Sequence, residues 1–160
     1  MTNDASAISK VLTECPPPQS GAPSILRGVQ RLLRDLNFAS ISELPLANGR
    51  RADVIALNAQ GAIWIVEIKS SIADFRCDQK WHEYRDYCDA LFFAVAPDFP
   101  SEILPNDTGL IFADAYGGEL MRPAPQHALS AARRKAVTMS FAMTAARRLH
   151  ALADPPARIF

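Results

Sequence analysis

Apolar residues change their spacing several times along this chain, and each change marks a new element. Ile25, Val29, Leu32, Leu33 and Leu36 recur at helical spacing, with Arg27, Arg31 and Arg34 off that stripe, so a helix is predicted there. Ser24 stands where an N-cap would. From Ala39 the helical period is lost, and Ile41, Leu44 and Leu46 predict a short strand ending at Pro45, with a turn around Asn48-Gly49. Segments 51–57 and 62–69 are both rich in β-branched residues and flank Asn58-Ala59-Gln60-Gly61, a strong turn signal; together they predict a β-hairpin.

A second helix is predicted from about Ile72 to Cys88, with Phe75, Trp81, Tyr84 and Cys88 near one stripe. The unbroken apolar run 91–96 fits a strand covered on both faces. Segments 109–113 and 119–122 read as short strands joined at Gly117-Gly118. A last helix runs from about Ser130 to Ala153, with Val137, Phe141, Ala145, Leu149 and Leu152 on one side. Residues 1–22 are polar and contain three consecutive prolines, which favours a disordered, extended leader; residues 155–160 read as a loose tail. Between them, residues 23–154 form one domain in the order α-β-β-β-α-β, followed by a small β extension and a helix, which is an α/β arrangement.

Composition bounds this picture without redirecting it. A chain of 160 residues, 49% apolar and 21% charged, can bury the core of a single domain. The 17 basic and 17 acidic residues cancel, so nucleic-acid binding would need a local basic patch. Arg133, Arg134 and Lys135, then Arg147 and Arg148, with Arg27, Arg31 and Arg34, could form one; a solvated helix face is the plainer reading. Cys15, Cys77 and Cys88 fit no metal-ligand spacing and read as free thiols, with Cys88 buried. His82, His127 and His150 are too dispersed for a zinc site. The N-terminus lacks signal-peptide organisation, and no apolar run approaches the roughly 20 residues of a membrane helix, so a cytoplasmic protein is expected.

The hairpin carries the chemistry. Its turn is centred near Gln60, which sets Asp53 opposite Glu67 or within one residue of it. Opposed residues share a face, with Cβ atoms roughly 5 Å apart. Alternation then places Asp53, Glu67 and Lys69 on one face and Val54, Val66 and Ile68 on the other; a slip of one residue would undo this. Two carboxylates so close repel unless a cation lies between them. Mg²⁺ or Mn²⁺ would resolve the conflict, with the Ile68 carbonyl as a third oxygen ligand. Lys69 would face the same space, able to orient a water and steady charge on a phosphate, which together suit phosphodiester hydrolysis. Cross-strand Asp–Lys and Glu–Lys pairs also decorate ordinary exposed sheets, so spacing alone does not decide.

These residues resemble a known pattern. Arg51-Ala52-Asp53, the hairpin and Glu67-Ile68-Lys69 are similar to the motifs of the PD-(D/E)XK nuclease superfamily, with Ala52 where a proline often stands. Residues 50–54, 65–71, 73–76, 80–84 and 92–96, in that order, resemble the MmcB-like family of bacterial DNA-repair proteins, over about Ile25 to Leu149. The resemblance implies a restriction-endonuclease-like mixed sheet flanked by helices and a metal-dependent endonuclease acting in DNA repair. It makes Asp53 and Glu67 metal ligands and Lys69 the catalytic lysine, with Mg²⁺ or Mn²⁺ as cofactor. An acid on the first helix often completes such sites; here that helix offers only Asp35 and Gln30, so Glu43 becomes the candidate fourth member. The candidate DNA contacts are Arg50, Arg51, Ser70, Lys80 and Tyr84. Arg50 and Arg51 lie where DNA would approach, though one of them could pair with Glu43 instead. Lys80 and Tyr84, four apart on the second helix, would share a face. The plainer alternatives are a solvated lysine beside a core tyrosine, helix capping by Ser70 and Ser71, and helix-face charges at Asp74, Asp78 and Asp86. DNA is the expected partner, with a homodimer and other repair proteins as further candidates. The rival expectation is a non-catalytic nuclease-fold protein that binds DNA or recruits a partner enzyme.

Overall fold

The structure, a computed structural model, describes residues 21–155. The leader expected over 1–22 therefore lies outside the described residues, apart from Gly21 and Ala22, and so does Cys15; of the expected tail, only Pro155 is described. Helix α1 spans Ala22–Asp35, beginning at the last residue of the expected leader. The expected Ser24 cap is also corrected. Gly21 is the N-cap, and a proline in the first turn supplies a preset φ where a missing N–H costs nothing. Ser24 lies inside the helix and is buried. Gly28 lets α1 cross the turn between the last two strands: a Cβ there would stand 2.3 Å from the carbonyl oxygens of Asp114 and Gly117.

Six strands follow: β1 Phe38–Pro45, β2 Arg51–Asn58, β3 Ile63–Ile68, β4 Ala90–Val95, β5 Gly109–Ala113 and β6 Gly118–Arg122. They form one sheet in sequence order. Pairing is antiparallel through β1–β2–β3, parallel through β3–β4–β5 and antiparallel again at β5–β6. All of β4 is buried, as its unbroken apolar run requires. The predicted turn closes the hairpin. Gly61 takes φ +80°, and Asn58 Oδ1 accepts the N–H groups of Gln60 and Ala62.

One sheet face, with Val54, Val66, Phe92 and Ile111, packs beneath Ile25, Val29 and Leu33 of α1. The other face, with Ile55, Ile65 and Leu91, packs against Tyr84, Tyr87 and the residues Val137 and Phe141. Those last two belong to helix α3, Ala131–Ala153, whose N-cap Ser130 accepts the Arg133 N–H. Arg134 pins α3 to the sheet: its guanidinium makes two 2.7 Å bonds to Asp89 and another to the Gly61 carbonyl. The apolar stripe of α3 is only partly buried. Leu149 and Leu152 are 68% and 82% exposed.

The predicted helix from Ile72 to Cys88 is corrected to two pieces, α2 over Ile72–Cys77 and a 3₁₀ helix over Trp81–Tyr87. At about 100° per residue, Phe75 and Trp81 would lie roughly 120° apart on one continuous α-helix. The break instead lets both rings pack edge-on against Phe93, each with centroids 5.6 Å away. Asp78 stabilises the break by accepting the Lys80 N–H at 3.3 Å, a local bond that competes with the helix. Among the described residues no helix is long and apolar enough to cross a membrane.

Candidate functional site

The site grows out of the hairpin's open end. Backbone pairing of β2 with β3 runs from Leu57↔Ile63 to Val54↔Val66, and one further step in that register sets Asp53 opposite Glu67. There the two carboxylates take over as acceptors. Glu67 Oε1 accepts the Asp53 N–H at 3.2 Å, and Asp53 Oδ2 accepts the Ile68 N–H at 2.8 Å. Each acid is thus held by the other's strand. In an extended residue N–H and C=O point to the same side, so the Ile68 carbonyl opens toward Asp53. Val54 and Val66 belong to the core cluster on the opposite face, with Ile68 packed against it, as alternation predicts.

Burial makes this arrangement electrostatically tense. Glu67 is 3% exposed. Burial, and next the neighbouring Asp53 charge, push its carboxyl up to about 8. Asp53 is also raised, chiefly by burial, against the opposing pull of the Ile68 N–H and of Lys69. Lys69 is buried as well, and its Nζ makes a 2.7 Å ion pair with Asp78 Oδ2. Arg50 approaches Asp78 at 4.0 Å, bonds Glu83 at 2.6 Å, and stands 5.8 Å from the Tyr84 ring centroid. The Tyr84 hydroxyl donates to the Arg51 carbonyl at 3.1 Å, and burial raises its pKa.

These groups surround one cavity of about 630 Å³, lined by Glu43, Arg50, Asp53, Glu67, Ile68, Lys69, Asp74, Asp78 and Tyr84, with Ala22, Pro23 and Leu26 of α1 forming an apolar wall. Asp53, Glu67, Lys69, Arg50 and Tyr84 are therefore brought together. Glu43 falls between the Ser42↔Val54 and Leu44↔Ala52 pairs of the β1–β2 register, and its exposed carboxylate pairs with Arg51 at 3.5 Å. It has φ +53°, a strained conformation for a non-glycine residue within a strand, and Arg148 bonds the Ser42 and Glu43 carbonyls on either side of the distortion. No group of three or more His, Cys, Asp or Glu among the described residues is gathered tightly enough to hold a metal ion by itself.

Lys80 is exposed and outside the cavity lining. The expectation that it shares a helix face with Tyr84 fails, because Lys80 precedes a 3₁₀ helix, where residues four apart diverge by about 120°. Ser71 caps α2 by accepting the Asp74 N–H, and Ser70 bonds the Asp74 carboxylate, so both serines are engaged in the cap. Asp78, read from sequence as a helix-face charge, is instead part of the site. No sequence signal marked it, because a continuous helix with Phe75 and Trp81 near one stripe leaves Asp78 as an ordinary helix-face charge.

Residues 10–156 match the protein family described as DNA repair protein MmcB-like. No curated protein matches the chain. A solved structure of a protein of unknown function from Silicibacter pomeroyi is similar at 47% identity and a TM-score of 0.83, covering 91% of this chain and 99% of that one.

Proposed function

The chain belongs to the MmcB-like family of DNA repair proteins, and from that footing we propose that it is a divalent-metal-dependent deoxyribonuclease of restriction-endonuclease-like fold. The observation that carries this reading is the meeting of Glu67, Asp53 and Lys69 in one cavity, with Glu67 almost wholly buried. A carboxyl held near 8 beside a second acid is costly to ionise, and a hard cation would offset that cost. The donor set suits Mg²⁺ or Mn²⁺: Asp53, Glu67 and the Ile68 carbonyl would hold the ion, with the remaining positions left to water and phosphate oxygens. Such an ion, when bound, supplies activation of a water and neutralisation of phosphate charge. Lys69 would orient the attacking water and steady charge on the phosphate. Glu43 would join only by leaving Arg51. Arg50 and Tyr84 are the DNA contacts best supported by the cavity, Arg51 lies at its rim, and Ser70 and Lys80 would act farther out.

A second reading, a non-catalytic DNA-binding or partner-recruiting factor, is favoured by the absence of a third clustered acid among the described residues. The two separate cleanly. Purified protein is incubated with linear, branched and single-stranded DNA in Mg²⁺ or Mn²⁺. The nuclease reading expects cleavage that Glu67→Gln or Lys69→Ala reduces at least about 100-fold while the fold survives. DNA binding without cleavage by the wild type, unchanged in both variants, would leave the second reading standing.

A further inference from the structure

Lys69 presents a problem that its neighbours must solve. Its ammonium is buried within the same cavity as two carboxylates, and an unrestrained lysine there would pair with them. It would then occupy the space a cation needs. The structure shows a different partner: Asp78 Oδ2 holds Nζ at 2.7 Å, with side-chain exposures of 6% for Lys69 and 17% for Asp78. Asp78 is itself fixed from its other oxygen, which accepts the Lys80 N–H at 3.3 Å and faces Arg50 at 4.0 Å. The break between α2 and the 3₁₀ helix is what turns this side chain inward.

We propose that Asp78 is a positioning residue that holds Lys69 off Asp53 and Glu67, keeping the two carboxylates free for a divalent cation. The proposal rests on the metal-binding reading of the site, and it deepens that reading by assigning a role to a residue outside the Asp53–Glu67–Lys69 set. Asp78 is not itself counted among the ligands. Its effect on metal passes entirely through Lys69, and that makes a distinctive pattern across variants.

Asp78→Asn keeps the size of the side chain and an acceptor for the Lys80 N–H while removing the charge that holds Lys69. Two measurements test the idea. The first is a crystal structure of metal-free Asp78→Asn, in which Lys69 Nζ is expected to swing to within hydrogen-bonding distance of the Glu67 or Asp53 carboxylate. A lysine that stays in its present place overturns the proposal, whether or not the protein binds metal. The second is Mn²⁺ affinity by calorimetry for the wild type, Asp78→Asn, Lys69→Met and the double variant. Asp78→Asn is expected to weaken Mn²⁺ binding at least about 10-fold, and adding Lys69→Met is expected to restore it. Weak binding that persists in the double variant would make Asp78 a ligand and overturn its positioning role; unchanged binding in the single variant would overturn it equally. If the wild type binds no Mn²⁺ while the lysine still swings, the metal reading fails and the positional claim for Asp78 stands alone.

Discussion

Glu67 concentrates the strain of the site in one side chain, and its protonation should be visible in stability. Its carboxyl moves from an ordinary 4.5 to about 8 on folding, first through burial and then through Asp53. Between those values the folded protein holds a proton that the unfolded chain releases, so stability falls as pH rises across that window. Glu67→Gln removes the titration. In chelator, the variant and the wild type should melt alike near pH 4, and the variant should melt higher at pH 8 and above, by an amount on the order of a few kcal/mol at most. Thermal denaturation at a series of pH values reads this directly. A wild type that loses no more stability than the variant over that range would mean Glu67 is solvated. The same residue shows what sequence could reveal. Strand period and a well-marked turn were enough to oppose Asp53 and Glu67, because hairpin register depends only on the turn centre. The details that decide their chemistry were not available that way: that both acids replace backbone acceptors, and that Lys69 is held by Asp78, depend on a helix break and on packing around Phe93.

Among the elements, α3 is the one whose sequence pattern overstated its contacts. Its apolar stripe continues through Leu149 and Leu152, yet only Val137 and Phe141 are buried, and Leu149 and Leu152 face solvent. A helical period records which side of a helix is apolar; it does not record how far the partner surface extends. The helix is instead anchored near its start by Arg134 on Asp89, which also accepts the Ile63 N–H at the opening of β3. Arg134→Met should cost about 1–3 kcal/mol, by leaving a largely buried carboxylate without its bidentate partner. Phe141→Ala should cost about 3–5 kcal/mol, whereas Leu152→Ser should change stability by less than about 0.5 kcal/mol. Chemical denaturation of the three variants tests the ranking. The pair also has a pH signature. Hydrogen bonding to Arg134 lowers the Asp89 pKa below 3.8, so its contribution is present above that value and is lost as pH falls through the lower folded one. Arg134→Met should therefore flatten the acid limb of the stability profile.

At the scale of the whole molecule, charge limits how DNA can be held. The chain carries no net charge, and many of its cations are already committed to the protein's own acceptors. Arg31 bonds the carbonyls of Ala115 and Tyr116, Arg122 those of Pro105 and Thr108, Arg148 those of Ser42 and Glu43, and Arg134 pairs with Asp89. Of the basic residues that could in sequence have formed a phosphate-tracking surface, Arg31, Arg134 and Arg148 are therefore structural, a distinction that only tertiary contacts could draw. The α/β class was legible, since each strand and helix carried its own period, and so was the pairing of Arg51 with Glu43; the uses of Arg31, Arg122, Arg134 and Arg148 were not, since their partners are distant in sequence. The cations near the cavity are a small set, Lys69 and Arg50 in its wall and Arg51 at its rim, each paired with a carboxylate that a phosphate would have to displace. If about three phosphates are neutralised there, log affinity for a DNA duplex should fall with log salt at a slope near −3, or about 40-fold between 50 and 200 mM. Fluorescence anisotropy with labelled duplex reads the slope. Arg50→Gln should weaken binding across all sequences and reduce the slope by about one, because a phosphate contact carries charge but no sequence information. A slope of −6 or steeper would require a second basic surface away from the cavity, and the interface would then have to be sought on the exposed faces of α1 or α3.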